Sequence, residues 1–458
     1  MQQPVCLRCK RYPRGCLYEL SIIDRIPIRQ RQQARIDCTS FGRVTTTPTD
    51  CTRGVFNRMK LVHQPLLNNS PFLVSEESRF LMHTFATQTA QMLFPASSEV
   101  FLRRMISAAM ETPHLLHALL ASSCSHHGRL VHDSSPASKM VLLRYTNRAI
   151  SGLRAALSDP KQVTRAETVA TAMALCTNDV CNGDMKIGRA HLRGVLRLLT
   201  TVLESHRMSH DTTDNDYIQC LVKWFKTMDI IAALSGVHGE CIHNPGSSSL
   251  DGLSDHTSGH VDDISGYSLE LVPILAEISE MARKVRLHEY GEIGKYYVSS
   301  PETRNQADEL ETKLCRLLDR PISNDTLSRG ENLAIELHSS HLAFVHSALL
   351  HLHRRVQLHP KDSIKVRTDV ANILNAVRAI EPHSSINVLI LWPIFSAGCE
   401  TEDSEVQSAI FARMGNMQAR GMGNFTRARE VLRQYWTSGS DLPWDVHLAR
   451  LGLELVLF

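Results

Sequence analysis

The sequence predicts an all-α protein: an irregular multi-helix array over residues 71–458, preceded by a flexible basic N-terminal segment. Three observations predict it. Apolar residues recur at spacings of three and four in stretch after stretch, the repeat that stacks side chains on one face of a helix. No stretch alternates apolar and polar residues convincingly enough for a half-buried strand. Leu and Ala lead the apolar residues and only 6% of the 458 residues are aromatic, while 43% are hydrophobic. A chain of that length can bury one large helical core or two smaller ones.

Taken in order, residues 17–70 lack sustained periodicity. Pro27, Pro48 and Pro65, with clustered Thr and Arg and with Gly42 and Gly54, read as a linker. Helices are expected from Ser75, an N-cap candidate followed by the carboxylates of Glu76 and Glu77 in the first turn. Phe80, Leu81, Phe85 and Leu93 give that helix its apolar side. Further helices are expected over Phe101 to Met110, over Pro113 to Ser123, and over residues 138–157, where Leu142, Tyr145, Ala149, Leu153 and Leu157 share a face.

The central stretch, Thr168 to Leu203, reads as a helical hairpin. Val169, Ala172, Met173, Cys176 and Val180 line one helix, and Ile187, His191, Val195, Leu198 and Val202 line the other. Asn182-Gly183-Asp184 turns the chain between them. Arg189, Arg193 and Arg197 recur on another face, open to water. Ser205 to Asn215 reads as a polar break, Ile218 to Ala233 as helix, and Gly236 to Ser265 as a mobile surface loop. Residues 333–356 form another long helix, with Leu342, Val345, Leu349, Leu352 and Val356 at three-four spacing.

The most apolar stretch, Ile390 to Ala397, is too short to span a bilayer and contains Pro393. The N-terminus has Cys and Arg where a secretory signal needs an apolar core. An intracellular protein with no membrane partner is expected. Most of the twelve cysteines sit singly in apolar stripes (Cys124, Cys176, Cys220, Cys315), as small buried hydrophobes do in reducing compartments.

Enzyme signatures are missing. There is no HExxH, no GxxxxGK[ST] and no GxSxG. Gly421-Met422-Gly423 is a lone GxG without a preceding strand. His338 with His341, and His351 with His353, read as polar flanks of a core helix. His191 reads as a hydrogen-bonded core residue. The expectation is a non-enzyme.

The N-terminus, PVCLRCKRYPRGCLYEL, is the one place with metal-ligand spacing. Cys6 and Cys9 are placed to share one tetrahedral zinc, and Cys16 follows. Three thiolates can hold one zinc ion with a water or a histidine completing the shell. Arg8, Lys10, Arg11 and Arg14 lie among them and can offset thiolate charge. Residues 1–60 hold twelve Lys or Arg against four Asp or Glu, a local charge of +8. The whole chain is only +3, so the remainder is mildly acidic. A basic head on an acidic body suits contact with a polyanion such as DNA; a plain basic tail is the competing reading.

Several strings together resemble one family, the fungal-specific Zn₂Cys₆ transcription factors. The Asn-Gly-Asp turn leading into GRAHLRGVLRLL is similar to the family's middle region. PHLLHALLASSCSHH is similar to one of its apolar helices. DDISGYSLELVPILAEISEMAR, from Asp262, is similar to a signature in which an acidic-Gly turn enters an apolar helix. INVLILWPIFSAGCE, from Ile386 to Glu400, is the most family-specific string, and RGMGNFTRAREVLRQYWTSG is similar to the family's Gly-rich turn before a helix ending in Trp436. The C-x₂-C-x₆-C run looks like the second half of the binuclear cluster, and no other CxxC is present.

The resemblance implies a layout: a partial zinc-cluster motif at 1–20, a basic linker at 21–70 and an all-α regulatory domain at 71–458. It implies a nuclear regulator of one pathway or gene cluster. Zinc would sit on Cys6, Cys9 and Cys16, with Arg8, Lys10, Arg11 and Arg14 on DNA phosphates. Transcriptional co-regulators, and a homodimer, are the partners it implies, although IDRIPIRQRQQARI offers at most two turns of dimerisation helix beyond Pro27. The alternative is a helical interaction protein or co-regulator that does not bind DNA. An in-frame CxxCR-x₅-C encoded upstream of Met1 would favour the first reading.

Overall fold

The computed structural model describes residues 71–458, apart from 98, 183–184, 210–214, 236–240, 244–249, 251–259, 292–300, 441, 454 and 458. Among the described residues there are helices and turns and no strand. None of their helices is long and apolar enough to cross a membrane.

The first helix, α1 (Glu76–Thr84), begins where the sequence places a cap. The Ser75 hydroxyl accepts a bond from the Ser78 N–H at 3.1 Å, and two glutamates fill the positive end of the helix. It passes through a π-helical turn, Phe85–Thr89, into α2 (Ala90–Leu93). Then come α3 (Glu99–Glu111), α4 (Pro113–Leu130), α5 (Pro136–Leu157), α6 (Ala166–Cys181), α7 (Met185–Ser209) and α8 (Asn215–Ser235). Proline opens both α4 and α5, where its missing N–H has no helical partner to lose.

These helices share one hydrophobic core, with Phe85, Phe94, Leu115, Met173, Leu199 and Phe225 at its heart. Helix α6 is its axis. Fourteen of its sixteen residues are buried, so it is covered on nearly every side rather than along one stripe.

A second core gathers the rest of the chain. It holds α9 (Leu271–Gly291), α10 (Pro301–Leu318), α11 (Asn324–Ser328), α12 (Glu331–His351), α13 (Ile364–Arg378), α14 (Leu391–Cys399), α15 (Ser404–Gln418), α16 (Gly423–Ser438) and α17 (Trp444–Arg450). Every residue of α14 is buried, and Trp392, Phe395 and Trp444 are among the largest side chains withdrawn from water. Burying an aliphatic or aromatic side chain of this kind stabilises by roughly 1.5–3 kcal/mol, so α14 anchors its half. A π-helical turn, Leu352–Val356, ends α12, and a 3₁₀ turn, Ser385–Val388, leads into α14. Gly439 closes α16 in the left-handed region (φ 59), the geometry that lets a glycine terminate a helix.

The two cores lock together at the turn before α16. Gly423 lies so close to the end of α6 that an added Cβ would sit 2.4 Å from the Cys181 carbonyl oxygen. From α4, His126 Nε2 donates to the Arg420 carbonyl at 2.8 Å and the Arg129 guanidinium donates to that of Gly421.

Several expectations are corrected. His191 is exposed and pairs with Asp179 at 3.3 Å, so it is no core residue. The buried stripe of α7 is Leu192, Val195, Leu199, Val202 and Leu203, and Leu198 lies at its edge. Both stripes satisfy a three-four repeat; the packing of α6 selects between them. Helix α7 runs on to Ser209, through the start of the expected polar break. Phe80 is half exposed, with its ring edge-on to His127, and Leu157 is exposed at a helix end.

The described parts of the expected surface loop at 236–265 are buried or partly buried instead. His243, Leu250, Val261 and Asp262 are all enclosed, because Asp229 and Asp262 tie the backbone down. Of the cysteines expected in apolar stripes, Cys176 is buried, Cys124 and Cys220 are partly so, and Cys315 is exposed.

Candidate regulatory site

The site residues expected from sequence, Cys6, Cys9, Cys16, Arg8, Lys10, Arg11 and Arg14, lie outside the described residues. Within the helical array, the chemically distinctive place is a buried ionic cluster where α12, α14 and α17 converge.

It starts at the π-helical turn Leu352–Val356. The widened turn carries His353, Arg354 and Arg355 side by side, and all three are buried. Such turns insert one residue into a helix and are often found where a side chain must be re-aimed. Arg354 Nε and Arg355 Nη2 both donate to the Glu400 carboxylate, at 2.6 and 2.9 Å. Glu400 is the residue that stops α14. The other side of Arg355 meets Asp445, with Nε 3.0 Å from the carboxylate, and Arg286 of α9 stands 3.4 Å from the same group. The Trp444 ring lies 5.8 Å from the Arg355 guanidinium and packs edge-on against Phe395.

The electrostatics follow from this geometry. Burial alone would raise the Glu400 carboxyl, but Arg355 and then Arg354 outweigh it and hold its pKa below the usual carboxylate value. Asp445 behaves alike: Arg355 and Arg286 overcome the desolvation that would raise it. His351, one turn away, is enclosed without a carboxylate partner strong enough to charge it. Burial, with Arg355 second, pushes its pKa down to about 3. Next along the turn, His353 Nδ1 is 2.6 Å from Asp369 and Nε2 is 3.4 Å from Glu311. Removing water from these charges makes each partner indispensable, since a lone buried ion is far costlier than a matched pair. The cluster therefore works as a clamp. It fixes the C-terminal helix α17 on α9, α12 and α14.

A second feature lies where the two cores meet. A cavity of about 50 Å³ is bounded by Met228, Trp224, Phe344, Leu389, Met422 and Leu457, drawn from both halves. Its hydroxyls are already engaged: Thr177 donates to the Met228 sulfur, Thr227 to the Lys223 carbonyl and Ser265 to the Tyr267 carbonyl. The space is too small and too apolar for a metabolite, and it marks a soft seam in the packing.

Neither place assembles a nucleophile with a base, and no group of three or more His, Cys, Asp or Glu side chains among the described residues is set to hold a metal. The description "fungal specific transcription factor domain" matches residues 79–458.

The chain belongs to that family.

Membership in the fungal specific transcription factor domain family covers the helical array from within α1 to the C-terminal residue, both cores included. Neither curated proteins nor solved structures give a match. The family strings coincide with structural joints. The acidic-Gly turn is built by the Asp262 carboxylate, which accepts the N–H groups of Ile264 and Ser265, with Gly266 at φ 76. The Gly-Cys-Glu ending delivers Glu400 to the clamp, and the RGMG turn is the lock between the cores.

Sequence reasoning missed the clamp. Arg354 and Arg355 look like a solvated basic end to a helix, and Glu400 and Asp445 lie about 45 and about 90 residues further on. The one available signal was Glu400, at the end of the most apolar helix in the chain.

Proposed function

We propose that this fungal transcriptional regulator is of the Zn₂Cys₆ type, controls one pathway or gene cluster, and acts in the nucleus. The helical domain is its regulatory region, receiving an effector or a co-regulator. Cys6, Cys9 and Cys16 hold zinc, and Arg8, Lys10, Arg11 and Arg14 contact DNA phosphates. The observation that carries this reading is the C-x₂-C-x₆-C run with interleaved bases, in a chain whose residues 79–458 match the family domain. Three thiolates with a water or histidine can bind one zinc ion, and a +8 segment supplies the salt-dependent part of DNA affinity. Phosphate contacts position without specifying sequence.

The test is a gel-shift titration of the full chain on a promoter fragment and on scrambled DNA, from low to physiological salt. Weak binding with little sequence preference and a steep salt dependence is expected, and Cys6→Ser with Cys9→Ser should release zinc. Loss of zinc without any change in DNA binding would separate the metal from the phosphate contacts. No binding even at low salt would overturn the DNA-reading role and favour the co-regulator that does not bind DNA.

A further inference from the structure

A hollow of about 430 Å³ lies between α4 and α5, on the outer face of the N-terminal core. It is open to solvent, with Asn147, Arg148 and Ser151 exposed at its rim, and its volume falls in the range of small-molecule sites. The two helices touch at its floor: an added Cβ on Gly152 would lie 2.7 Å from the His114 Cβ. From α4 the hollow is lined by His114 and His117, three residues apart on one face. From α5 it is lined by Asn147, Arg148 and Ser151. No carboxylate lines it.

His114 is 92% buried, yet one of its nitrogens is uncommitted. Its Nδ1 is 2.7 Å from the Thr171 hydroxyl, and that hydroxyl gives its only proton to the Glu167 carbonyl at 2.7 Å. Thr171 can therefore only accept, so His114 donates from Nδ1, and its Nε2 is left without a protein partner among the described residues. Arg148 likewise has no carboxylate within ion-pair distance among the described residues, and Asn147 and Ser151 make no side-chain hydrogen bond there. The nearest acid on α6, Glu167, is bound to Arg165 at 3.1 Å.

We propose that this hollow binds a small oxyanion, the phosphate or carboxylate group of a metabolite, between the Arg148 guanidinium and the imidazoles of His114 and His117. Asn147 and Ser151 supply neutral donors at its edge. A guanidinium flanked by an amide donor and by imidazoles that can each take up a proton suits a carboxylate or phosphate. Burial holds both imidazoles neutral when the site is empty, with Arg148 also lowering His117 and Arg165 partly opposing Glu167 at His114. Neutral His114 has only a lone pair on Nε2 and cannot donate to an anion, so binding takes up a proton there and tightens as pH falls. The site stands apart from the DNA-reading role: its failure leaves the gel-shift result untouched, and the reverse.

The experiment is calorimetric and thermal-shift titration of the full chain at constant ionic strength. Inorganic phosphate and citrate are the probes, and chloride is the control. Saturable binding of one or both is expected, and comparing them tells a phosphate site from a carboxylate site. Arg148→Gln should weaken it by about tenfold or more, as losing a charge-assisted bond implies. Ser151→Glu, an exposed position, should abolish it by placing a carboxylate in the hollow. Arg154→Gln, exposed on the same helix, should leave it unchanged. Saturation that survives both groove variants would put the anion elsewhere, for instance on the basic N-terminus, and overturn the proposal. So would a response no greater than that to chloride.

Discussion

Glu400→Gln is the sharpest test of the clamp. The substitution keeps the shape of the side chain but removes the charge that faces two buried guanidiniums at 2.6 and 2.9 Å. The amide retains one acceptor and turns an NH₂ towards an arginine. Arg286 and Arg355 would then share Asp445 as their remaining carboxylate in the cluster, and Arg354 would keep the His359 carbonyl but no carboxylate there. Breaking a buried ion pair from one side costs about 3–5 kcal/mol, because the surviving charge stays desolvated. Against a total stability of about 5–15 kcal/mol, that is a large fraction. Urea unfolding followed by circular dichroism should show the midpoint falling by a corresponding amount, with its slope unchanged. Glu280→Gln is the control. It removes a half-exposed partner of Arg283 and should shift stability by no more than about 0.5 kcal/mol. A loss below about 1 kcal/mol for Glu400→Gln would refute the reasoning, since the cluster could not then be both dry and charged.

Acid should weaken the fold before the carboxylates of the clamp titrate. Burial lowers the folded pKa of His126 and His341 to about 4 and of His351 to about 3, against 6.5 when exposed. A lowered histidine contributes stability that is fully present above 6.5 and is lost as pH falls below it. From pH 7.5 to 5 each costs about 2 kcal/mol, or about 6 kcal/mol for the three. The depressed carboxyls of Glu400 and Asp445 act only below their unfolded values, under about pH 4.5. Melting curves at pH 7.5 and 5 should therefore differ sharply, and a flat profile across that window would contradict the buried, neutral state of these rings. Two glycines should respond oppositely to alanine. Gly423→Ala forces a Cβ to 2.4 Å from the Cys181 carbonyl and should destabilise by about 1–3 kcal/mol or more, whereas Gly194→Ala, in helix α7 with open space around it, should stabilise by about 0.5–1 kcal/mol. Equal effects in thermal melts would mean that the lock between α6 and α16 is looser than described.

What the sequence determined by itself is the set of local choices. Helix periodicity, the Ser75 cap, the prolines opening α4 and α5 and the glycine ending α16 are all written within a few residues of where they act. The family strings were legible for the same reason: each is a short run in which a turn, a small residue and an apolar face must occur together. Tertiary packing decided the rest. Whether α7 buries His191 or Leu192 depends on the neighbour it meets, because both lie within one helical repeat. Whether residues around 243 and 262 are surface or core depends on Asp229 and Asp262, whose carboxylates gather backbone N–H groups that no pattern in the loop announces. The same holds for the clamp and the hollow. Arg355 with Asp445, and His114 with Arg148, are pairs made by helices folding back over tens of residues. Charge and burial act through space, and only the fold sets that distance.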